Sequence, residues 1–439
     1  MIQAARRRTR TLTRAAVLAA ATVLVVTSCS DGHTDVRSVP APGWSTFGGD
    51  AGNTDYSHAN VPDDLAPAWE RPTEGAVRAP LSLTGSGDVM VTAQTRAGCN
   101  LFALDHRAGR KNFCKRMADG FWTNTALVDQ YNQPYIGEPG RFLAFTGGGA
   151  IRWRQDVNGV PTSAKFAAPE RVLVTTSRGE ISIVNSQTGD AEYPAVQLWR
   201  GPAAADPAEG IDDCRTGGPA CAVAAPPAVD GPRSRFFLNF HPQGGDAAQV
   251  KAMSYADGEI TDLWTAELPG GMVGPPTATA DGRTVYAFSR ENRLYAFDAE
   301  TGRVRWSTDV GDSGFATLTV SPDGLIIPAG TVGAPLTILR DTGDGVEVVA
   351  RNEGVRTAGL STLTAGDRAW TVGRTDPRGR LALLQIDATD GSVVRSLPLG
   401  DEKGPQPEGF ATGVAVGASG QIAVATTGGT VYYFAAPGE

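Results

Sequence analysis

The sequence predicts an all-β protein, an eight-bladed β-propeller of four-stranded antiparallel blades. The first observation is a pattern of strand, tight turn and strand that recurs eight times in the 439 residues. The second is its spacing, mostly 40–47 residues, which is the length of one propeller blade. The third is that no segment after the first 28 residues has convincing helical periodicity.

The clearest copy of the repeat is AFDAETGRVRW, residues 296–306. An apolar strand ends at Asp298, Gly302 closes the turn and Trp306 lies in the next strand. Asp and Gly are the residues that such turns favour, because Asp bonds the local backbone and Gly adopts positive φ. The eight predicted turn glycines are Gly109, Gly149, Gly189, Gly258, Gly302, Gly345, Gly391 and Gly438.

An aromatic residue stands four positions after the glycine in the better copies. These residues are Phe113, Trp153, Tyr193 and Trp306. A large aromatic ring buries much apolar surface, and neighbouring blades have only their faces to share. We therefore expect these side chains to dock one blade on the next.

The last copy, TVYYFA at residues 430–435, lacks a following outer strand. The segment DLAPAWERP, residues 64–72, has Trp69 where such a strand would carry its aromatic residue. We expect this segment to pair with TVYYFA and close the ring without an open edge. Seven blades are the alternative, should KAMSYADGEITDLW or TILRDTGDGVEVV not form a full blade.

The N-terminus predicts export and lipidation. Residues 1–28 contain five arginines followed by the apolar run AAVLAAATVLVV, the pattern of a signal peptide. The sequence VTSC resembles a bacterial lipobox, which implies cleavage before Cys29 and a palmitate-type anchor on that residue. We expect a tether at residues 29–43, a propeller at residues 44–439 and attachment to the outer face of the cell membrane. An ordinary secretory signal with a chance Cys is the alternative.

The net charge of the chain excludes some classes of binding partner. Without residues 1–28 the chain has 34 basic and 47 acidic residues, a net charge of −13. This balance argues against nucleic acid as a partner, because its phosphates require a basic surface. The five lysines against 34 arginines indicate a high-GC genome, such as that of an actinobacterium.

Four cysteines remain besides Cys29. Cys99 and Cys114 flank a predicted hairpin, and Cys214 and Cys221 flank the short segment RTGGPA. We expect two local disulfides, 99–114 and 214–221, in this exported protein. Zinc binding is the competing interpretation, although neither pair has CxxC spacing. The second pair lies in an insertion at about residues 199–231, which we expect to contact a partner or guard the channel mouth.

The repeat Ala-Phe-Asp-x-x-Thr-Gly-x-x-x-Trp resembles that of propellers of the pyrroloquinoline-quinone (PQQ) type. WSTFGGDAGNTDYS, residues 44–57, is similar to the N-terminal lead-in of that family. The resemblance covers about residues 44–439, and in the family the aromatic residue after the turn packs between blades.

Two branches of this family imply different functions. Quinoprotein dehydrogenases use PQQ, calcium, adjacent cysteines and an Asp base, but this chain has no adjacent cysteines and nothing distinguishes Asp213 or Asp312 as a base. The accessory lipoprotein of the outer-membrane β-barrel assembly machine instead binds proteins. We expect a non-catalytic, monomeric envelope adaptor with unidentified protein partners and no cofactor or metal. A small-ligand-binding or sensing propeller and a PQQ-dependent dehydrogenase remain alternatives.

Overall fold

The computed structural model describes residues 37–119, 124–202, 205–311, 317–329, 332–401 and 403–438. The predicted signal segment, Cys29 and Asp312 lie outside these residues. From Ser38 onward the chain forms one compact unit. Its first residues already bond to the sheets, since Glu170 N donates to Ser38 O at 2.7 Å and Ala41 N to Val128 O at 2.9 Å. Residues 38–43, which the sequence assigned to the tether, are thus bonded to the sheets, and the domain bounds stay a prediction.

The described strands form antiparallel four-stranded meanders. After β1 (Tyr56–Ser57) and β2 (Ala66–Pro72), meander 1 contains β3 (Ser82–Leu83), β4 (Val89–Thr92), β5 (Leu101–Leu104) and β6 (Lys111–Lys115). Meander 2 contains β7 (Leu127–Val128), β8 (Pro134–Glu138), β9 (Arg141–Phe145) and β10 (Ile151–Asp156). Meander 3 contains β11 (Lys165–Ala168), β12 (Arg171–Thr175), β13 (Glu180–Asn185) and β14 (Val196–Gln197).

The helix α1 (Ile211–Thr216) lies in the insertion, and two 3-10 turns follow at Gly231–Arg233 and Ala256–Gly258. Meander 4 contains β15 (Ala228–Asp230), β16 (Arg235–Phe240), β17 (Gln249–Ser254) and β18 (Thr261–Ala266). Meander 5 contains β19 (Met272–Ala278), β20 (Thr284–Ser289), β21 (Arg293–Asp298) and β22 (Val304–Asp309).

Meander 6 contains β23 (Leu318–Val320), β24 (Leu325–Pro328), β25 (Pro335–Asp341) and β26 (Val346–Thr357). Meander 7 contains β27 (Thr362–Thr364), β28 (Arg368–Arg374), β29 (Ala382–Asp387) and β30 (Val393–Pro398). Meander 8 contains β31 (Ala411–Val416), β32 (Ile422–Thr426) and β33 (Thr430–Ala435), completed by β2.

The all-β propeller prediction is confirmed, and so is its closure. Strand β2 pairs antiparallel with β33, with Trp69 opposite Tyr433, so the N-terminal segment supplies the outer strand of the last meander. Meanders 6 and 7 share one nine-stranded sheet, because β26 pairs with β28 and β1 runs parallel to β27. The described residues thus form seven sheets but eight meanders, and the number of blades stays a prediction.

The apolar core is distributed around the ring between neighbouring meanders. One cluster joins Leu173 of meander 3 to Phe236 of meander 4, and another joins Phe237 of meander 4 to Phe297 of meander 5. At most seams the first strands of neighbouring meanders contact one another, and β3 contacts β31 across the closure. Each of these clusters is complete only when two neighbouring meanders pack together, so every meander stabilises the next. The ring that results surrounds a central channel.

Candidate functional site

The turn glycines and docking residues meet between neighbouring meanders. Trp153 of β10 lies against Gly189 in meander 3, where an added Cβ would be 2.7 Å from the indole ring. The Trp153 Nε1–H donates to Ser186 O at 3.0 Å in the same turn. Gly189 has a φ of +80°, which glycine adopts without strain. One tryptophan therefore covers the next turn and satisfies one of its carbonyl groups.

The same contact occurs where meander 8 meets meander 1 and where meander 1 meets meander 2. Trp69 lies against Gly109 and donates its Nε1–H to His106 O at 2.8 Å. The Trp69 ring also stacks on Tyr433, with 4.9 Å between the ring centroids. Phe113 lies against Gly149 in the same way, 2.6 Å from the position of an added Cβ.

Trp264 of β18 makes this contact as well, and sequence reasoning missed it. An added Cβ on Gly302 would lie 2.6 Å from the Trp264 ring, and the indole Nε1–H donates to Ala299 O at 3.1 Å. Trp264 follows Gly258 by six residues, because the turn of meander 4 includes the 3-10 turn Ala256–Gly258. The tryptophan ending KAMSYADGEITDLW was the available signal.

A β-bulge in the outer strand helps to aim each docking side chain. The pairing register shifts just before Phe113, Trp153, Trp264 and Trp306. A bulge bends its strand and redirects the side chain that follows. The recurrent bulge explains why the aromatic residue comes several positions after the turn.

The Gly302 turn itself is fixed by Asp298. Its Oδ1 accepts hydrogen bonds from Thr301 Oγ1 at 2.8 Å and from Thr301 N at 2.9 Å. These bonds, led by the one from the Thr301 hydroxyl, lower the pKa of Asp298 because they favour its carboxylate. The Asp at the start of the repeat is therefore part of the turn.

Two other predicted docking residues make different contacts. The Nε1–H of Trp306 donates to Asp341 Oδ1 at 3.0 Å, and the hydroxyl of Tyr286 donates to Asp341 Oδ2 at 2.5 Å. A carboxylate thus replaces the glycine as the target between meanders 5 and 6. Tyr193 makes only ordinary contact with Gly258, 3.9 Å from an added Cβ.

In the turn of meander 6, the glycine with positive φ is not the one that was predicted. The prediction gave Gly345 the positive φ, but Gly343 adopts it, at +95°. Thr342 N donates to Gly345 O at 3.0 Å, which places Gly343 at the bend. At the turn of meander 7, the described neighbours of Gly391 are Ala350, which lies against it, and Asn352, whose Nδ2 donates to Gly391 O at 2.7 Å.

The lead-in segment, residues 44–57, passes along the first strands of successive meanders. The backbone carbonyls of Trp44, Ser45, Ala51, Gly52, Thr54 and Asp55 accept hydrogen bonds from the N–H groups of Leu83, Val128, Val229, Ala278, Val320 and Leu363, respectively. Thr46 Oγ1 donates to Ala164 O at 3.0 Å. The segment is therefore bonded to meanders 1–7 and lies within the channel.

A buried lysine fastens the lead-in. Lys165 of β11 is 0% exposed, and its Nζ donates to Phe47 O and, at 2.6 Å, to Asp50 O. Burial lowers the pKa of Lys165 to about 7, although Asp50 and Asp55 oppose the shift. Burial also raises the pKa of Asp55, as does the neighbouring Asp50. Burial therefore disfavours the charged forms of both Lys165 and Asp55.

The lead-in divides the channel into two cavities. The larger has a volume of about 860 Å3, with Phe47 of the lead-in in its wall. All eight meanders contribute to it, through Pro80, Asn124, Ser163, Pro226, Pro275, Thr317, Leu360 and Thr412. The smaller, of about 390 Å3, is lined by Asp50, Thr54 and Tyr56 of the lead-in. The larger cavity is the candidate functional site.

Part of the insertion crosses this cavity. We call residues 205–221 the strap. Pro207 lies 3.0 Å from the position of an added Cβ on Gly140 in meander 2. At the other end, Arg290 of meander 5 donates its Nη2–H to Gly217 O at 3.0 Å. Ile211 and Cys214, on α1 between these points, line the cavity.

Both disulfides predicted from the spacing are present, 99–114 with Cα atoms 5.6 Å apart and 214–221 with Cα atoms 5.0 Å apart. The first joins the two sides of the β5–β6 hairpin, and the second closes the strap. Asp213, a nominal base in the sequence, has a structural setting, because its Oδ2 accepts a hydrogen bond from Ala220 N at 2.8 Å.

The cavity residues do not fit a PQQ–calcium pair. Among the described residues, no group of three or more His, Cys, Asp or Glu side chains could hold a metal ion. Asp119 and Asp212, the two carboxylates in the wall, pair with Arg116 and Arg215 at 3.1 and 3.2 Å. We therefore derive no catalytic step through a quinone.

The fold is shared with two solved proteins at low sequence identity. BamB from Moraxella catarrhalis has a TM-score of 0.56 at 16% identity, over 84% of this chain and 99% of that chain. Quinohemoprotein alcohol dehydrogenase from Comamonas testosteroni has a TM-score of 0.62 at 15% identity, over 91% of this chain and 81% of that chain. At these identities the likeness establishes the propeller fold alone.

Sequence comparison gives the family. The family model described as outer membrane protein assembly factor BamB matches residues 246–394. Protein Rv3035 of Mycobacterium tuberculosis is 31% identical over 412 residues, which cover 93% of this chain and 99% of that protein. This relative is consistent with the actinobacterial origin that the arginine-rich composition indicates. The chain belongs to the same family as Protein Rv3035, a family of BamB-like propellers with PQQ-type repeats.

Proposed function

We propose that this protein is a lipid-anchored, extracytoplasmic scaffold that binds other proteins of the cell envelope. Its partners meet the outer rim of the propeller, and Cys29 holds the ring at the outer face of the cell membrane. From BamB we carry over only what its name states, that it is an assembly factor for proteins.

One observation carries the proposal. Residues 246–394, which match the BamB family model, contain most of the large hydrophobic side chains that are exposed in the described structure. These side chains are Leu263, Val304, Val332, Val348, Val393 and Val394. All except Val332 lie on the outermost strands of meanders 4–7, and we call these five residues the aliphatic rim. Large apolar side chains left exposed on successive outermost strands are candidates for contact with a partner protein.

The ring gives this rim a fixed geometry. Trp264 and Trp306, whose strands also carry Leu263 and Val304, are docked on the neighbouring meanders. Outermost strands expose backbone N–H and C=O groups on their free side, and in β26 only the end at residues 356–357 is paired with β28. A partner can therefore bind by contact with the aliphatic rim and by hydrogen bonds to these strand edges.

Charge substitution tests the rim in intact cells. We expect a Val304→Asp, Val348→Asp double variant to lose the envelope proteins that crosslink to the wild type, because desolvated carboxylates oppose apolar contact. Ile151→Asp is the matched control, since Ile151 is 40% exposed on β10, outside the matched region. The measurement is crosslinking, purification and mass spectrometry. Recovery of the same proteins with all three chains would contradict the proposal.

A further inference from the structure

We infer that the strapped cavity binds an amphipathic organic anion, a molecule with a long aliphatic body and a single carboxylate or phosphate group. This inference is independent of the scaffold proposal, because the cavity is lined by the ends of the first strands and the aliphatic rim lies on the outermost strands.

The walls fit an apolar body. The volume of about 860 Å3 lies within the range of small-molecule sites, about 300–1,000 Å3. Phe47, Leu360 and Phe410 line the cavity, and Ile211 of the strap lies over it. Several prolines, including Pro161 and Pro275, contribute carbon surface without backbone N–H groups. Polar wall residues such as Ser163 and Ser177 already accept hydrogen bonds within the protein, so they leave few partners for a strongly polar ligand.

One charge in the wall has no partner. Arg78 lines the cavity and makes no hydrogen bond or ion pair with any described residue. The other arginine, Arg215, is paired with Asp212, and Asp119 is paired with Arg116. Arg78 is exposed to solvent at the cavity, and a guanidinium there can hold a carboxylate or phosphate by a charge-assisted hydrogen bond. A single such group matches a ligand with a single anionic end.

A second polar group in the wall also lacks a partner. Thr317 is only 7% exposed, and its Oγ1 forms no hydrogen bond with any residue that the structure describes. An unpaired buried hydroxyl costs free energy that a ligand oxygen would recover.

The strap provides a route of entry. Its helix α1 has six residues, too few to be stable without tertiary contacts. The strap is held to meanders 2 and 5 by the Pro207–Gly140 contact and the bonds from Arg290. The Cys214–Cys221 disulfide keeps its end folded while these contacts break. Cys221 at the end of the strap is buried, so opening at the Pro207 and Arg290 contacts would expose the cavity beside Ile211 to a ligand.

Fluorescence titration tests the site with a defined probe, dansylaminoundecanoic acid, and the purified chain carrying Cys29→Ala so that no attached lipid is present. We expect saturable binding of one probe per chain. Arg78→Gln should weaken it about tenfold or more, because the anion loses a charge-assisted hydrogen bond. The methyl ester of the probe should bind the wild type and Arg78→Gln equally. Displacement by palmitate or by an alkyl phosphate identifies the preferred anionic group.

Two further variants keep the test interpretable. Arg303→Gln alters an exposed arginine outside the cavity and should leave probe affinity unchanged. Ile211→Asp places a carboxylate at the cavity and should weaken binding of the acid. Equal thermal melting temperatures show that each variant is folded. The inference is overturned if no saturable binding occurs, if Arg78→Gln and Arg303→Gln behave alike, or if PQQ displaces the probe and palmitate does not.

Discussion

The indole ring of Trp264 lies against Gly302 of the next meander, where a methyl group on the glycine would come within 2.6 Å of the ring carbons. The same tryptophan donates its Nε1–H to Ala299 O at 3.1 Å, in the turn that Gly302 closes. The Gly302 turn therefore has two roles. Its glycine allows the backbone conformation of the turn, and its flat surface receives the tryptophan of the preceding meander. In the described structure the repeat joins neighbouring meanders through these contacts.

Substitution of Gly302 by Ala tests this contact against a matched glycine. Gly302 and Gly343 both have positive φ, at +70° and +95°, so Ala costs about 1–2 kcal/mol at either position. Only at Gly302 would the new methyl group meet a ring, since an added Cβ on Gly343 has nothing within 4 Å. We expect Gly302→Ala to lose about 1–3 kcal/mol more than Gly343→Ala in urea unfolding. Equal losses would mean that Trp264 moves aside without cost.

Removal of the tryptophan side chain tests the same contact between meanders from the other side. Trp306→Ala should lower the free energy of unfolding by about 3–5 kcal/mol, the range for core aromatic residues, and Trp264→Ala by less because Trp264 is only partly buried. Leu263→Ala is the control, because Leu263 is the preceding residue on β18 and is 49% exposed. Thermal melts of the three variants provide the comparison. Melting temperatures for both tryptophan variants that match Leu263→Ala would refute the docking role.

The repeat could be predicted because its information is local. Asp298, Gly302 and Trp306 stand at fixed spacing in one short segment. Trp264 escaped the same pattern because the turn of meander 4 adds two residues before it. The choice between Gly343 and Gly345 could not be made from spacing, since both glycines occupy one turn and the backbone bond from Thr342 decides between them.

The candidate site was less accessible to sequence reasoning. The lead-in bonds to strands that are up to about 300 residues away in the chain, as with Asp55 and Leu363, and such backbone contacts leave no mark in composition. The burial of Lys165 could not be predicted either, because a lone lysine is usually a surface residue. The insertion was visible from its interruption of the repeat, but Gly140 and Arg290, which position the strap, lie in ordinary turns.

The buried Lys165 predicts a pH dependence of stability. Its pKa falls from 10.5 to about 7 in the folded protein, so between these values the unfolded chain binds a proton that the folded chain does not. This term therefore makes stability rise from about pH 7 to about pH 10 and adds no slope below pH 7. Lys165→Met removes the titrating group and should remove the rise.

Urea unfolding at a series of pH values measures this effect. Lys111→Met, at an exposed position of β6, is the control for loss of one lysine. Lys165→Met also loses the bonds to Phe47 O and Asp50 O, which lowers stability at every pH without changing the slope. An unchanged slope in Lys165→Met would contradict the burial of a neutral amine in the channel.

The predicted lipid anchor has its own test. Cys29→Ala should abolish labelling by an alkyne analogue of palmitate and release the protein from the membrane fraction, because no other attachment is proposed. Cys99 and Cys114 are already joined in a disulfide and offer no alternative thiol. Labelling and membrane association that persist in Cys29→Ala would exclude the lipobox interpretation.

The central claim, that the aliphatic rim binds an envelope protein, is tested most directly by a photocrosslinking amino acid placed at Val348. Val348 is 65% exposed on β26, within the region that matches the BamB family model. Irradiation of intact cells should give a discrete adduct with an envelope protein, identified by mass spectrometry, and the same probe at Ile151 should give none. No adduct at Val348, or the same adduct at both positions, would contradict the account.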